Sequence, residues 1–393
     1  MKTKVAVPIA LCMAVAMLEG FDIQAMGVAA PRLAPEFGLG PGEMKWVFAI
    51  SNIGMVLGAA MGGWLADRVG RKPVFMTSVA MFGVFTLCVI FTAEFGTLVA
   101  TRLFAGLGFG AALPNMMAIA AELSTPARRS STAALIFCGF PIGGGSVALL
   151  TQVLPSDFDW RVLFIVGGVL PALLVPALYW LLPETLAPSV SRAPKLHAPT
   201  LGALFGGGRA VPTLLLWLAF LPTLFVLYLI LNWLPTLVVA KGFDRAVAPQ
   251  ASLAFNWASA AGALLVGWLV DRFGPRWPLM LSYGALIVAL VALGASTDHK
   301  SIIMLSGVAG FFLLGANYAL YGVAPSYYPP AMRGTGSGAS VAVGRVGSIL
   351  GPLAAGFLLQ GGSSATNVVQ YMAPVAAVAG IAVCLLSFFK REH

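Results

Sequence analysis

The amino-acid sequence predicts an all-α membrane protein of twelve transmembrane helices, arranged as two pseudo-symmetric six-helix bundles. Charged residues make up 9% of the 393-residue chain while 59% of it is hydrophobic, where a soluble domain carries about 25% charge. Apolar runs of about 20 residues recur from one end to the other, long enough to cross a hydrocarbon core as helices that satisfy their own backbone. A polar motif that follows the second run returns after the eighth.

The runs place the first half's spans at 7–33, 44–66, 73–93, 96–122, 130–154 and 160–182. Lys2 and Lys4 precede the first run, which continues past signal-peptide length without a small-residue cleavage site and so reads as a span. Span two ends at the basic loop containing Arg68, Arg71 and Lys72, and spans four and five are rich in glycine. Gly106, Gly108 and Gly110, and the run Gly143 to Gly145, present small surfaces where helices approach closely. No strand precedes them, so a phosphate-binding loop is excluded. The second half gives 210–240, 247–270, 277–296, 300–328, 334–360 and 366–389.

Residues 183–209 form the longest polar interruption, with Pro188, Pro194, Pro199 and three consecutive glycines. It reads as a linker between a bundle of residues 1–182 and one of residues 210–393. The halves are related: Asp67, Arg68 and Gly70 recur as Asp271, Arg272 and Gly274 at a constant offset of 204 residues. Parallel repeats of this kind belong to transporters that rock one half against the other around a midplane site.

A formal charge of +9 raises the question of nucleic acid, and the distribution of charge answers it. Most of the 23 basic residues, among them Arg68, Arg71, Lys72, Arg128, Arg129, Arg192, Lys195, Arg272, Arg276, Arg333 and Lys390, fall on one side of the expected membrane. By the positive-inside rule both termini are cytoplasmic, and the expected location is a bacterial inner membrane. The partners expected are the bilayer, protons and a small-molecule substrate, without nucleic acid, and the chain is expected to act as a monomer. Cys12, Cys88, Cys138 and Cys384 lie in apolar spans without paired spacing, so no disulfide, metal or cofactor is indicated. His197, His299 and His393 lie in loops or at the terminus and no nucleophile motif appears, which argues against a membrane-embedded enzyme. A channel or sensor has no need of the duplicated loop.

Gly62-Gly-Trp-Leu-Ala-Asp-Arg-Val-Gly-Arg-Lys72 resembles the signature loop of the major facilitator superfamily. Three stretches are similar to the aromatic acid:proton symporters within it. They are Glu19-Gly-Phe-Asp22 in span one, Arg102 to Asn115 in span four, and Val343-Gly-Arg-Val-Gly-Ser-Ile-Leu-Gly-Pro352 in span eleven. The resemblance covers essentially the whole chain and implies the major facilitator fold and proton-coupled import of a small aromatic carboxylate by alternating access. Many members read Asp-Gly-x-Asp in span one; Glu19 stands in the first position here, as in 3-(3-hydroxyphenyl)propionate carriers, which favours phenylpropanoid acids over benzoates. Quinate, a sugar acid or a dicarboxylate is the competing cargo.

Ionisable groups at membrane depth are costly, so each is a functional candidate. Asp22 lies near the middle of span one with Glu19 one turn earlier. Burial disfavours the charged form of a carboxyl, the property a coupling site needs to exchange protons. The competing reading makes Asp22 the permanently ionised partner of a buried arginine. Arg102 in outer span four either relays charge to Asp22 or snorkels to the interface. Arg345 in span eleven offers a planar fork for a substrate carboxylate, or else pairs with Asp22. Tyr228 and Asn232 share a face of span seven, Asn317 and Tyr321 one of span ten, and Asn256 with Trp257 lies in span eight. With Asn115 they are the substrate-binding candidates, since aromatic cargo needs apolar surfaces with few placed polar groups. Asp67, Arg68, Arg71, Glu122, Arg128, Asp271 and Arg272 are read as gating charges whose pairs form in one state and break in the other.

Overall fold

The computed structural model describes residues 2–125, 129–155, 157–185, 201–329 and 332–389. Twelve helices are long and apolar enough to cross a membrane: Val5–Glu36, Pro41–Val69, Arg71–Phe91, Phe95–Leu123, Thr132–Val153 and Arg161–Leu181, then Ala210–Ala240, Val247–Phe273, Arg276–Ala295, His299–Tyr327, Arg333–Gln360 and Ala365–Leu386. They are numbered below as spans one to twelve, and the described residues contain no strand. Most boundaries lie within three residues of those expected. The first helix is longer at its far end, continuing through Pro35 to Glu36.

Two of the spans are interrupted, and proline explains both breaks. Span five breaks at Cys138 between helices Arg129–Phe137 and Gly139–Val153, because Pro141 has no N–H to return to the carbonyl of Phe137. Span twelve breaks at Tyr371 between Ala365–Gln370 and Met372–Leu386, where Pro374 withholds the same bond from Gln370.

The chain divides into two compact units, Met1–Pro194 and Lys195–His393. In the first unit span one packs on five, two on four, and three on four and six; in the second, seven packs on eleven, eight on ten, and nine on ten and twelve. The linker contributes a short helix, Leu201–Phe205, whose Leu204 carbonyl accepts a bond of 2.9 Å from Thr213 Oγ1 at the start of span seven.

The repeat is written into the helix contacts. Gly143 lies against the carbonyl of Met17 and Gly347 against that of Leu221; Gly106 lies against Ser51 and Gly310 against Phe255; Gly58 lies against Leu107 and Gly262 against Phe311. Each second pair is the first displaced by 204 residues. In every case a β-carbon would meet main-chain atoms, so these helices approach as closely as bare backbone allows. Gly70 (φ 112°) and Gly274 (φ 75°) turn the chain after spans two and eight, a conformation that side chains with a β-carbon rarely adopt.

Candidate functional site

Within the first unit, the polar centre is built on Asp22, which is fully buried. Its two carboxylate oxygens receive a forked pair of bonds from Arg102, Nη1 at 3.1 Å and Nη2 at 2.7 Å, and a third from Thr86 Oγ1 at 2.7 Å. Arg102 Nε donates to Ser51 Oγ at 3.1 Å, so spans one, two, three and four meet at one ion pair. Arg102 therefore reaches Asp22 and does not snorkel. Two charges this deep are tolerated because geometry and added donors compensate their lost hydration. Glu19 is also fully buried, one turn away.

Asn115 serves helix contact: its Nδ2 donates to its own helix at Ala111 O, 2.8 Å, and toward Gly62 O across the pair of spans two and four at 3.4 Å. Its Oδ1 has no hydrogen-bond partner among the described residues.

The polar centre of the second unit is different. Arg345 Nη1 donates to the hydroxyl of Tyr228 at 3.0 Å, and the Tyr321 phenol lies within electrostatic range of both. Phe220 packs edge-on against Tyr321 with ring centroids 5.3 Å apart. Asn317 is buried on the Tyr321 helix, and its Oδ1 has no hydrogen-bond partner among the described residues. Asn232 and Asn256 are buried, each donating to its own helix, at Tyr228 O (2.6 Å) and Ser252 O (2.9 Å). Spans seven, ten and eleven thus bring together one guanidinium and two phenols, with the Asn317 amide one helical turn from Tyr321, a set that can take a carboxylate at the cation and an aromatic ring beside it. Trp257 is about half exposed while Asn256 is buried; successive helical residues point about 100° apart, so the two side chains leave span eight in different directions.

Packing is duplicated but chemistry is not. The repeat partners of Asp22 and Arg102 are Val226 and Ser306, and those of Tyr228 and Arg345 are Gln24 and Pro141. Each unit keeps its own charged centre.

The loop after span two also differs between halves. Arg71 pairs with Asp67 at 3.7 Å and with Glu122 at 3.3 Å. The equivalents of Arg71 and Glu122 are Pro275 and Ser326, and Asp271 makes no ion pair among the described residues. Arg68 and Arg272, also expected among the gating charges, lie over indole rings, Trp64 at 3.9 Å and Trp268 at 5.5 Å. Arg128 lies outside the described residues.

Three contributors escaped sequence reasoning. Thr86 and Ser51 are hydroxyls in apolar helices, indistinguishable in sequence from residues such as Thr77 and Ser78 that bond their own backbone. Glu184 carries a readable signal, an acidic group directly after Pro183 at the end of span six. Its carboxylate accepts the N–H groups of Arg71 at 3.0 Å and Lys72 at 3.2 Å, where an anion complements the start of span three.

The Major Facilitator Superfamily model matches residues 12–254 and 245–393. The 3-(3-hydroxyphenyl)propionate transporter of Escherichia coli is 40% identical over 384 residues, covering 98% of this chain and 94% of that one. The gallate transporter of Pseudomonas putida is 32% identical, covering 89% and 84%. Among solved structures, a bacterial homolog to the human lysosomal transporter Spinster superposes with a TM-score of 0.77 at 18% identity, over 99% of this chain and 98% of that one, a likeness of fold alone. With twelve membrane-crossing helices and a family match along nearly its whole length, the chain belongs to the Major Facilitator Superfamily, as a multi-pass membrane transporter and not an enzyme.

Proposed function

We propose that this transporter imports a small aromatic carboxylate together with protons, by alternating access, across a bacterial inner membrane. The observation that carries the reading is the Arg345 and Tyr228 pair at 3.0 Å with Tyr321 beside it. A cation in membrane helices needs a reason to be there, and here it stands among phenols that suit an aromatic acid. The names of the relatives, transporters of hydroxyphenylpropionate and of gallate, support the same substrate class. A phenylpropanoid acid is favoured by the closer identity to the first.

Proton coupling falls to Asp22, Arg102 and Glu19. Protonating Asp22 removes the charge that holds Arg102, so proton occupancy and the junction of four spans are one equilibrium. Asp67, Arg71 and Glu122 act as a gate that depends on conformational state. Both termini are cytoplasmic and the protein works as a monomer.

Uptake of labelled acids into proteoliposomes under an imposed inward proton gradient tests this. Hydroxyphenylpropionate, hydroxybenzoates, quinate, a sugar acid and a dicarboxylate form the panel. Accumulation of an aromatic monocarboxylate, abolished by dissipating the gradient, is the expected result; accumulation restricted to quinate, the sugar acid or the dicarboxylate refutes the substrate class.

A further inference from the structure

Arginines with no ion-pair partner among the described residues repeat at the ends of spans two and eight and at the start of span nine. Among the described residues, Arg68, Arg272 and Arg276 form no ion pair, and each lies over exposed aromatic rings. Arg68 covers Trp64 at 3.9 Å; Arg272 covers Trp268 at 5.5 Å and Phe273 at 5.7 Å. Arg276 covers Phe388 at 4.6 Å and Trp277 at 5.6 Å. All five rings are more than half exposed. The arrangement is duplicated: Trp64 and Arg68 become Trp268 and Arg272, and Lys72, 5.5 Å from the Tyr179 ring, becomes Arg276, all at the offset of 204.

An arginine held over a ring by cation–π attraction forms no ion pair there and leaves N–H donors, the ones that fork onto a phosphate, for another partner. Tryptophan at the end of a membrane helix sits at headgroup depth, which sets the cation at the level of the phosphodiesters. Asp67 and Asp271 are the acidic groups adjacent in sequence. Asp67 is drawn to Arg71 at 3.7 Å, and the exposed Asp271 leaves two arginines to one carboxylate in the second unit. The sign of the charge, the free donors and the aromatic shelf together select an anionic lipid.

We propose that these repeated arginines over aromatic rings bind anionic phospholipid headgroups, one site at the end of span two and a second where spans eight and twelve end and span nine begins. The leaflet concerned, the cytoplasmic one, rests on the orientation proposed above, while the site itself does not.

The test is electron paramagnetic resonance of the full-length protein in phosphatidylcholine nanodiscs carrying spin-labelled phosphatidylglycerol or spin-labelled phosphatidylcholine. The motionally restricted fraction should favour phosphatidylglycerol by about fivefold per arginine site at low salt. The combined variant Arg68→Gln, Arg272→Gln and Arg276→Gln should lose most of that preference. Trp268→Leu, a milder change, should weaken it while leaving all charges in place. Equal preference in parent and combined variant overturns the proposal. So does an undiminished preference when the three arginines become lysines, since surface charge alone would then suffice. The nanodisc presents the same lipids to both faces, so orientation does not affect the outcome. Labelling of single cysteines placed in the loops of intact cells tests orientation separately.

Discussion

At the scale of the residue, two cations within the spans, buried Arg102 and half-buried Arg345, have different duties. Arg345 donates to the Tyr228 hydroxyl at 3.0 Å, and its planar guanidinium is the proposed ligand for the substrate carboxylate. Arg345→Lys keeps the charge but loses the planar two-bond geometry, so carboxylate affinity should fall roughly tenfold or more, equivalent to at least about 1.4 kcal/mol. Tyr228→Phe should cost less, and an amide analogue of the substrate should scarcely distinguish wild type from Arg345→Lys. Calorimetric titration of detergent-solubilised protein decides it: a lysine variant that binds the acid as well as wild type makes Arg345 structural.

Arg102, by contrast, commits both terminal nitrogens to Asp22. Asp22→Asn imitates the protonated acid and cannot release a proton. Gradient-driven accumulation should be lost while exchange of labelled for unlabelled substrate persists. Accumulation that survives would pass the coupling role to Glu19, and loss of both activities would make Asp22 a binding or folding residue. One proton carried with one monoanion moves no net charge, so the uptake should be insensitive to voltage, whereas any additional charge would be driven by about 2.3 kcal/mol per 100 mV.

At the scale of the element, close approach is the organising device. Gly143 in span five meets the main chain of span one at Met17, so neither partner can yield by rotating a side chain. Gly143→Val should destabilise the protein by roughly 1–3 kcal/mol through overpacking, read as a lower melting temperature in detergent. Gly63→Ala, where an added β-carbon meets nothing within 4 Å, should be neutral or slightly stabilising by helix propensity. If both variants melt like wild type, the close contact carries no stability. The breaks at Cys138 and Tyr371 belong to this scale as well, and the missing N–H groups of Pro141 and Pro374 were legible in the sequence.

At the scale of the whole molecule, the two units share a packing plan and divide the chemistry. Among the described residues, only the first has the linked carboxylates and arginine at its loop, Asp67, Arg71 and Glu122. Replacing Asp67 by Asn should abolish net transport while substrate binding to solubilised protein stays within about twofold, because a gate acts on interconversion of states. Binding that falls as far as transport does would remove Asp67 from the gate.

The sequence by itself determined the class of fold, the spans and the repeat, since lipid requires long apolar helices and a duplicated motif at fixed offset survives in the residues. It also nominated Asp22, Arg102, Arg345 and Tyr228, because charged groups stand out against an apolar background. Tertiary structure alone decided which of them meet. Asp22 and Arg102 are 80 residues apart and Tyr228 and Arg345 are 117; a fork closing at 2.7 Å depends on helix rotation and tilt, which no one-dimensional pattern records. The same holds for Thr86, whose hydroxyl bonds Asp22, and for Arg68 and Arg272, whose charges rest on tryptophan. Side-chain identity is written along the chain, but partnership is set by how glycine surfaces let the helices approach.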